Sequence, residues 1–128
     1  MRHARKQPSQ DIHFNLINNN KMDSLNIFSL SGKNAWITGA SYGIGFNIAK
    51  AFAAAGINHI IFNDVKQELV DRGLAAYKEA GIENVTGYVC DVTKENDVKA
   101  LVERIHQEVG HIDILVNNAG IIKRIPMH

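Results

Sequence analysis

Apolar and polar positions change period repeatedly along this chain. Short apolar runs of strand type alternate with longer stretches whose apolar residues recur at helical spacing. Residues 34–38 form a short apolar run that ends at Gly39 and predicts a first strand. Over 43–55, Ile44, Ile48, Ala51, Phe52 and Ala55 fall on one side of a helix, and Gly56 follows as its stop. Residues 59–62 predict a second buried strand, closed by Asn63 and Asp64, and residues 67–79 a second helix, closed by Gly81. Residues 85–90 predict a third strand, closed by Asp91. Thr93 is placed to cap a third helix, whose Val98, Leu101, Val102, Ile105 and Val109 make one stripe ending at Gly110. Residues 112–116 predict a fourth strand, followed by Asn117, Asn118, Ala119 and Gly120.

Strands alternating with helices predict an α/β domain with a parallel sheet and helices on both faces. Right-handed crossovers build the first three strands outward and return the fourth to the other side of the first. The predicted order is therefore 3-2-1-4, half of a doubly wound, Rossmann-type sheet spanning residues 30–128. The fourth strand is expected to leave an exposed apolar edge. Residues 1–29 predict a disordered extension, because Arg2, Arg5, Lys6 and the polar run through Asn18, Asn19 and Asn20 offer little apolar surface to bury. An amphipathic targeting helix is the alternative there, opposed by Asp11 and the asparagines, and Met22 offers a second start.

Composition narrows the function classes. A chain of 128 residues, 45% apolar and 21% charged, suits one domain. A net charge of +1 gives no field that would gather nucleic acid or a membrane surface. No apolar run approaches the roughly 20 residues of a spanning helix. The lone Cys90 excludes an internal disulfide and points to a reducing cytoplasm, with the thiol read as a small buried hydrophobe. His59, His106 and His111 are too scattered to suggest a metal set or a catalytic triad.

The chemistry gathers after the four strands, where doubly wound sheets bind ligands. Gly39, Gly43 and Gly45 lie between a strand and a helix, a spacing that suits a tight turn, close approach of a phosphate and a helix N-terminus aimed at it. A flexible loop without a ligand is the plainer alternative. Asp64 follows Gly45 by 19 residues. Its carboxylate can accept from adenosine ribose hydroxyls and repels a 2′-phosphate, which favours NAD; the neighbouring Lys66 leaves NADP open. Asp64 can equally be a helix cap. Asp91, with Val92, is placed for an adenine ring, or is simply a turn residue. Asn117 and Asn118 bring several donors and acceptors to the end of a buried strand, one amide to fasten strands and the other to face a ligand.

Thr-Gly-Ala-Ser-Tyr-Gly-Ile-Gly at 38–45, Asp64, Cys-Asp-Val at 90–92 and Asn-Asn-Ala-Gly at 117–120, in this order, resemble the short-chain dehydrogenase/reductase family. The resemblance covers about residues 30–128. It implies a nicotinamide cofactor, with Ser41, Tyr42 and Ile44 at phosphate and ribose, Asp64 at the adenosine ribose, Asp91 and Val92 at adenine, and Asn118, Ala119 and Gly120 beside nicotinamide. A narrower resemblance, to the gluconate 5-dehydrogenase branch, rests on Gln-Glu-Leu-Val-Asp-Arg-Gly at 67–73, Gly-Tyr-Val-Cys-Asp-Val-Thr at 87–93 and Ile-Ile-Lys-Arg-Ile-Pro-Met at 121–127. It implies a sugar-acid substrate interconverting with its keto form, and a homo-oligomer for the whole enzyme. Arg124 can then pair with the substrate carboxylate, or be a solvated loop residue.

The same resemblance expects a serine and a Tyr-x-x-x-Lys pair for catalysis. Neither Tyr42, Tyr77 nor Tyr88 has a lysine four residues on, so this chain is expected to hold no catalytic residue and to lack the family's subunit-contact helices. A 3-oxoacyl carrier-protein reductase, which shares the cofactor motifs, and an inert nucleotide-binding module are the alternatives.

Overall fold

The computed structural model describes residues 14–16 and 30–118. In chain order these form β1 (Phe14–Leu16), β2 (Asn34–Thr38), α1 (Gly43–Ala54), β3 (His59–Asp64), α2 (Gln67–Glu79), β4 (Val85–Val89), α3 (Glu95–Glu108) and β5 (Ile114–Val116). The four strands expected from the apolar runs are β2 to β5. They are parallel and ordered β5-β2-β3-β4, the arrangement that right-handed crossovers predict.

The period-2 alternation of each strand divides the core in two. Ala35 and Ile37 of β2, Ile60 and Phe62 of β3, and Ile114 and Val116 of β5 face α1 and α2, where they meet Ala49, Val70 and Tyr77. Trp36, Ile61 and Leu115 face the other way and meet Val98, Leu101, Val102 and Ile105 of α3. Trp36, Phe62 and Tyr77 are fully buried. Each large side chain withdrawn from water in this way contributes about 1.5–3 kcal/mol before the entropy of ordering it.

The central strands are levelled at their amino ends by asparagine. The Asn34 N–H donates to Asp113 Oδ2 at 2.9 Å, and the Asp113 N–H returns a bond of 2.9 Å to the Asn34 carbonyl. The Asn34 amide also donates to the His111 carbonyl at 2.9 Å, while Asn58 donates to Asn34 Oδ1 at 2.8 Å. These bonds set β5 against β2 in the register Ala35 to Ile114, so that both strands finish at the same height.

Four sequence expectations change. First, Phe14–Leu16 was expected to lie in a disordered extension, yet these residues form β1, pairing antiparallel with β5 in the register Phe14 to Val116. The physical reason is the edge itself: unpaired N–H and C=O groups on β5 gain partners from any extended segment that reaches them. Second, β5 is for the same reason not an open edge along residues 114–116. Third, α3 begins at Glu95 with Lys94 at its N-cap, so Thr93 lies one residue too early to cap it and instead donates its N–H and hydroxyl to Asp91 Oδ1, at 3.0 and 2.6 Å. Fourth, of the expected inward face of α1, Ile48 and Phe52 pack half-buried on the core but Ile44 and Ala51 are exposed, and the fully buried positions are Gly45 and Ala49. Small residues face inward there because the helix starts directly against the turn after β2.

Candidate functional site

The carboxyl ends of β5, β2, β3 and β4 are bonded to one another across the sheet. After β2, the Gly39 N–H donates to the Asn63 carbonyl at 3.0 Å, and the Gly39 carbonyl accepts from Asn118 Nδ2 at 3.2 Å. Thr38 Oγ1 lies 3.5 Å from Asn117 Oδ1. On the other side, Asn63 Nδ2 donates to the Cys90 carbonyl at 3.2 Å and Asn63 Oδ1 accepts from Trp36 Nε1 at 2.9 Å. The turn at 39–45 is thus clamped between β5 and β3. Asn63 is a hub that strand periodicity marked only as a closing residue. Its signal was a fully polar side chain at the buried end of an apolar run.

The turn is shaped by backbone that side chains would spoil. Gly39 and Gly43 have φ of +65° and +68°, a region costly for other residues. Gly45 matters for closeness: a Cβ there would stand 2.7 Å from Asn118 Nδ2, 2.9 Å from Ala40 Cα and 3.0 Å from the Gly39 oxygen. From this turn α1 rises with Tyr42 at its N-cap, without a side-chain cap and without an acidic residue in its first turn. The first-turn N–H groups and the positive end of the helix dipole are therefore left to an anion. Ser41 is almost wholly buried, and its Oγ has no hydrogen-bond partner. An unsatisfied buried hydroxyl costs about 1–3 kcal/mol, which a phosphate oxygen at this turn would offset. The uncapped helix end, the orphaned hydroxyl and the cradle at Gly45 together fit the phosphates of a dinucleotide.

Among the described residues the exposed large hydrophobics are Tyr42, Ile44, Val65 and Val89. Val65 follows β3 and Val89 ends β4, while Tyr42 and Ile44 lie at the N-terminus of α1, which the turn after β2 leads into. Exposed apolar side chains collected on one rim mark a contact surface for flat, apolar ligand parts. Val65 and Val89 were not singled out from sequence, because an isolated valine at a strand end carries no periodic signal.

The other expected residues divide. Asp64 stands half-buried at the end of β3, and its Oδ1 accepts from the Val65 N–H at 2.9 Å. It does not cap α2, whose N-cap is Lys66. Asp91 follows β4 and accepts both Thr93 bonds on Oδ1, which hold its carboxyl below the usual carboxylate range. It is thus a turn residue, with its second oxygen left for other partners. Val92 packs into the core against α3, so little of it faces a ligand. Of the Asn117–Asn118 pair, one expected to fasten strands and the other to face a ligand, Asn117 Oδ1 meets Thr38 and Asn118 Nδ2 meets the Gly39 carbonyl, so both fasten β5 to β2 and its turn. Ala119, Gly120 and Arg124 lie outside the described residues. Among the described residues no group of three or more His, Cys, Asp or Glu side chains could hold a metal ion, and no helix is long and apolar enough to cross a membrane.

Comparison with known proteins matches this geometry. The family model described as short chain dehydrogenase aligns with residues 33–128. This chain belongs to the short chain dehydrogenase family. The 2-dehydro-3-deoxy-D-gluconate 5-dehydrogenase of Formosa agariphila is 43% identical over 104 residues, 81% of this chain and 39% of its own length. The crystal structure of 2-keto-3-deoxy-D-gluconate dehydrogenase from Streptococcus agalactiae superposes with a TM-score of 0.70 at 67% identity, over 78% of this chain and 37% of that one. A gluconate 5-dehydrogenase from Burkholderia cenocepacia, solved with NADP and tartrate, gives a TM-score of 0.67 at 38% identity, over 81% and 40% of the two chains. The chain thus spans about two fifths of the length of these relatives. The Rossmann-type parallel sheet of this chain superposes on both solved structures.

Proposed function

We propose that this chain is the dinucleotide-holding part of an oxidoreductase that interconverts a sugar acid and its keto form. One observation carries the cofactor half of this reading: an uncapped helix N-terminus and an orphaned Ser41 hydroxyl sit in a turn clamped between two strand ends. The similarity to enzymes named for gluconate and deoxygluconate carries the substrate half. Gly39, Ser41, Tyr42, Gly43, Ile44 and Gly45 would hold the pyrophosphate and its neighbouring ribose, and Asp64 the adenosine ribose. Asp91 and the apolar rim with Val65 and Val89 would flank adenine, Val92 bracing that wall from behind. Asn118 with Ala119 and Gly120 would border nicotinamide, and Arg124 would meet the substrate carboxylate.

A nicotinamide cofactor bound here supplies the acceptor for hydride from a substrate carbon. The chain's own part is to fix the pyrophosphate and turn the two nucleosides outward. It supplies no proton-transfer group in a Tyr-x-x-x-Lys arrangement, so the 128 residues by themselves bind without turnover.

The Asp64 carboxylate favours NAD, since a 2′-phosphate beside it would meet like charge; Lys66, two residues on at the N-cap of α2, is the group that would moderate this. Titration of the 128-residue chain with NADH, followed by ligand fluorescence and calorimetry, tests the reading. One saturable site displaced by ADP-ribose is expected, with NADPH at least tenfold weaker. Asp64→Ala should weaken NADH by about tenfold, the equivalent of roughly 1.4 kcal/mol, and bring NADPH level with it. Absence of saturable NADH binding would sink the proposal.

A further inference from the structure

We infer that Tyr77 is a positioning residue of the dinucleotide site, acting from α2 through the Ala40 carbonyl. This rests on the nucleotide-binding reading above. The Tyr77 phenol is fully buried and donates to the Ala40 oxygen at 2.6 Å, across 37 residues of sequence. Its ring is held on two sides, by Phe46 of α1 with centroids 4.6 Å apart and by Phe62 of β3 at 5.2 Å. The hydroxyl therefore has one fixed place to point.

Ala40 lies in the turn between Gly39 and Ser41. The strand side of that turn is tied by Asn63 and Asn118, and Tyr77 ties the side facing α2. A second feature of the same helix brings it close. Gly73 precedes Tyr77 by four residues, on the same face of α2. A Cβ at 73 would stand 3.0 Å from Ser41 Cα and 2.9 Å from Phe62 Cε2, so a side chain there would push the helix off the turn. The helix is thus the floor on which the turn rests.

The consequence follows from peptide planarity. In a trans peptide the carbonyl and the following N–H point in opposite directions. With the Ala40 carbonyl drawn inward onto Tyr77, the Ser41 N–H is turned away from α2. A flip of this peptide would rotate Ala40 ψ and Ser41 φ and would break the bond that Tyr77 makes to the Ala40 oxygen. Tyr77 thereby adds to the resistance against it. The residue touches no ligand; it selects which way a phosphate-facing donor points.

Tyr77→Phe in the 128-residue chain removes the hydroxyl and keeps the ring. Two measurements decide the matter: titration with NADH and with adenosine, and amide hydrogen exchange of the ligand-free chain by NMR. The expected result is a five- to twentyfold loss of NADH affinity with adenosine affinity changed less than twofold. Exchange of the Ser41 to Gly45 amides should rise at least tenfold while Val102 and Ile105 of α3 keep theirs. Unchanged exchange at Ser41 overturns the inference, as does faster exchange spread equally to α3 or loss of the fold, because the hydroxyl would then serve stability at large. If the unmutated chain binds no NADH, the nucleotide reading fails by itself, and the exchange pattern alone decides whether Tyr77 orders the turn.

Discussion

Asn118 donates its side-chain amide to the carbonyl oxygen of Gly39 at 3.2 Å, joining the end of β5 to the turn after β2 across 79 residues of sequence. The bond spans the two strands between which the sheet order reverses, and a ligand crevice opens at such a reversal. It leaves no room for a side chain at Gly45, whose missing Cβ would lie 2.7 Å from the same amide nitrogen.

Gly45→Ala tests that closeness. The methyl would press on Asn118, on Ala40 Cα and on the Gly39 oxygen, and two of these three are backbone. Overpacking of this kind costs about 1–3 kcal/mol. An unfolding free energy in urea lowered by that amount is expected, together with loss of NADH binding. A variant that keeps both stability and binding would show that the turn can open without cost.

A pH dependence follows from His59, at the start of β3. Its Nε2 is 2.8 Å from Thr86 Oγ1, and burial lowers its pKa below the ordinary 6.5. The unfolded chain therefore takes up a proton that the folded chain resists. The stability tied to this residue is present above the ordinary value and is lost as the pH falls through it. Unfolding midpoints should drop between about pH 7 and about pH 5, more steeply in the unmutated chain than in His59→Gln. Equal slopes in the two proteins would remove His59 as a cause.

Cys90 should be slow to react. Burial, followed by the charges of Asp97 and Asp91, pushes its thiol up to about 11. Since the thiolate is the nucleophile, alkylation by iodoacetamide at about pH 8 is expected to be at least 100-fold slower in the folded chain than in urea. Rapid labelling of the folded chain would mean that the end of β4 opens readily.

The contact between β1 and β5 makes its own prediction. Deleting residues 1–21 removes Phe14–Leu16 and bares the β5 edge. Light scattering at tens of micromolar protein should then rise over hours, with the full 128-residue chain staying clear, because unpaired strand edges associate with one another. A truncated chain that stays monomeric would show that the edge needs no cover.

Much of this architecture was legible from local pattern. The bounds of β2 and α2 follow from apolar spacing and flanking turn residues. The sheet order followed from chain handedness with no contact information. The same methods missed β1, whose three residues carry no period and gain a partner only because β5 ends the parallel run. They also misjudged α1, since helical spacing cannot tell an inward Ile44 from an inward Gly45 when the neighbouring turn lies nearly in contact.

The site divides along the same line. Short-range chemistry is written in the residue types: Gly39, Gly43 and Gly45 for a turn that excludes side chains, and Asp64 for a carboxylate at a strand end. The partners of Tyr77, Asn63 and Asn118 are not, because each of those bonds joins segments 27 or more residues apart. Sequence by itself determined that four strand ends would meet and that a glycine turn with no room for side chains would lie among them. Only the tertiary structure decided which side chains clamp that turn, since a hydrogen bond depends on distance and direction in space, and neither is a property of position along the chain.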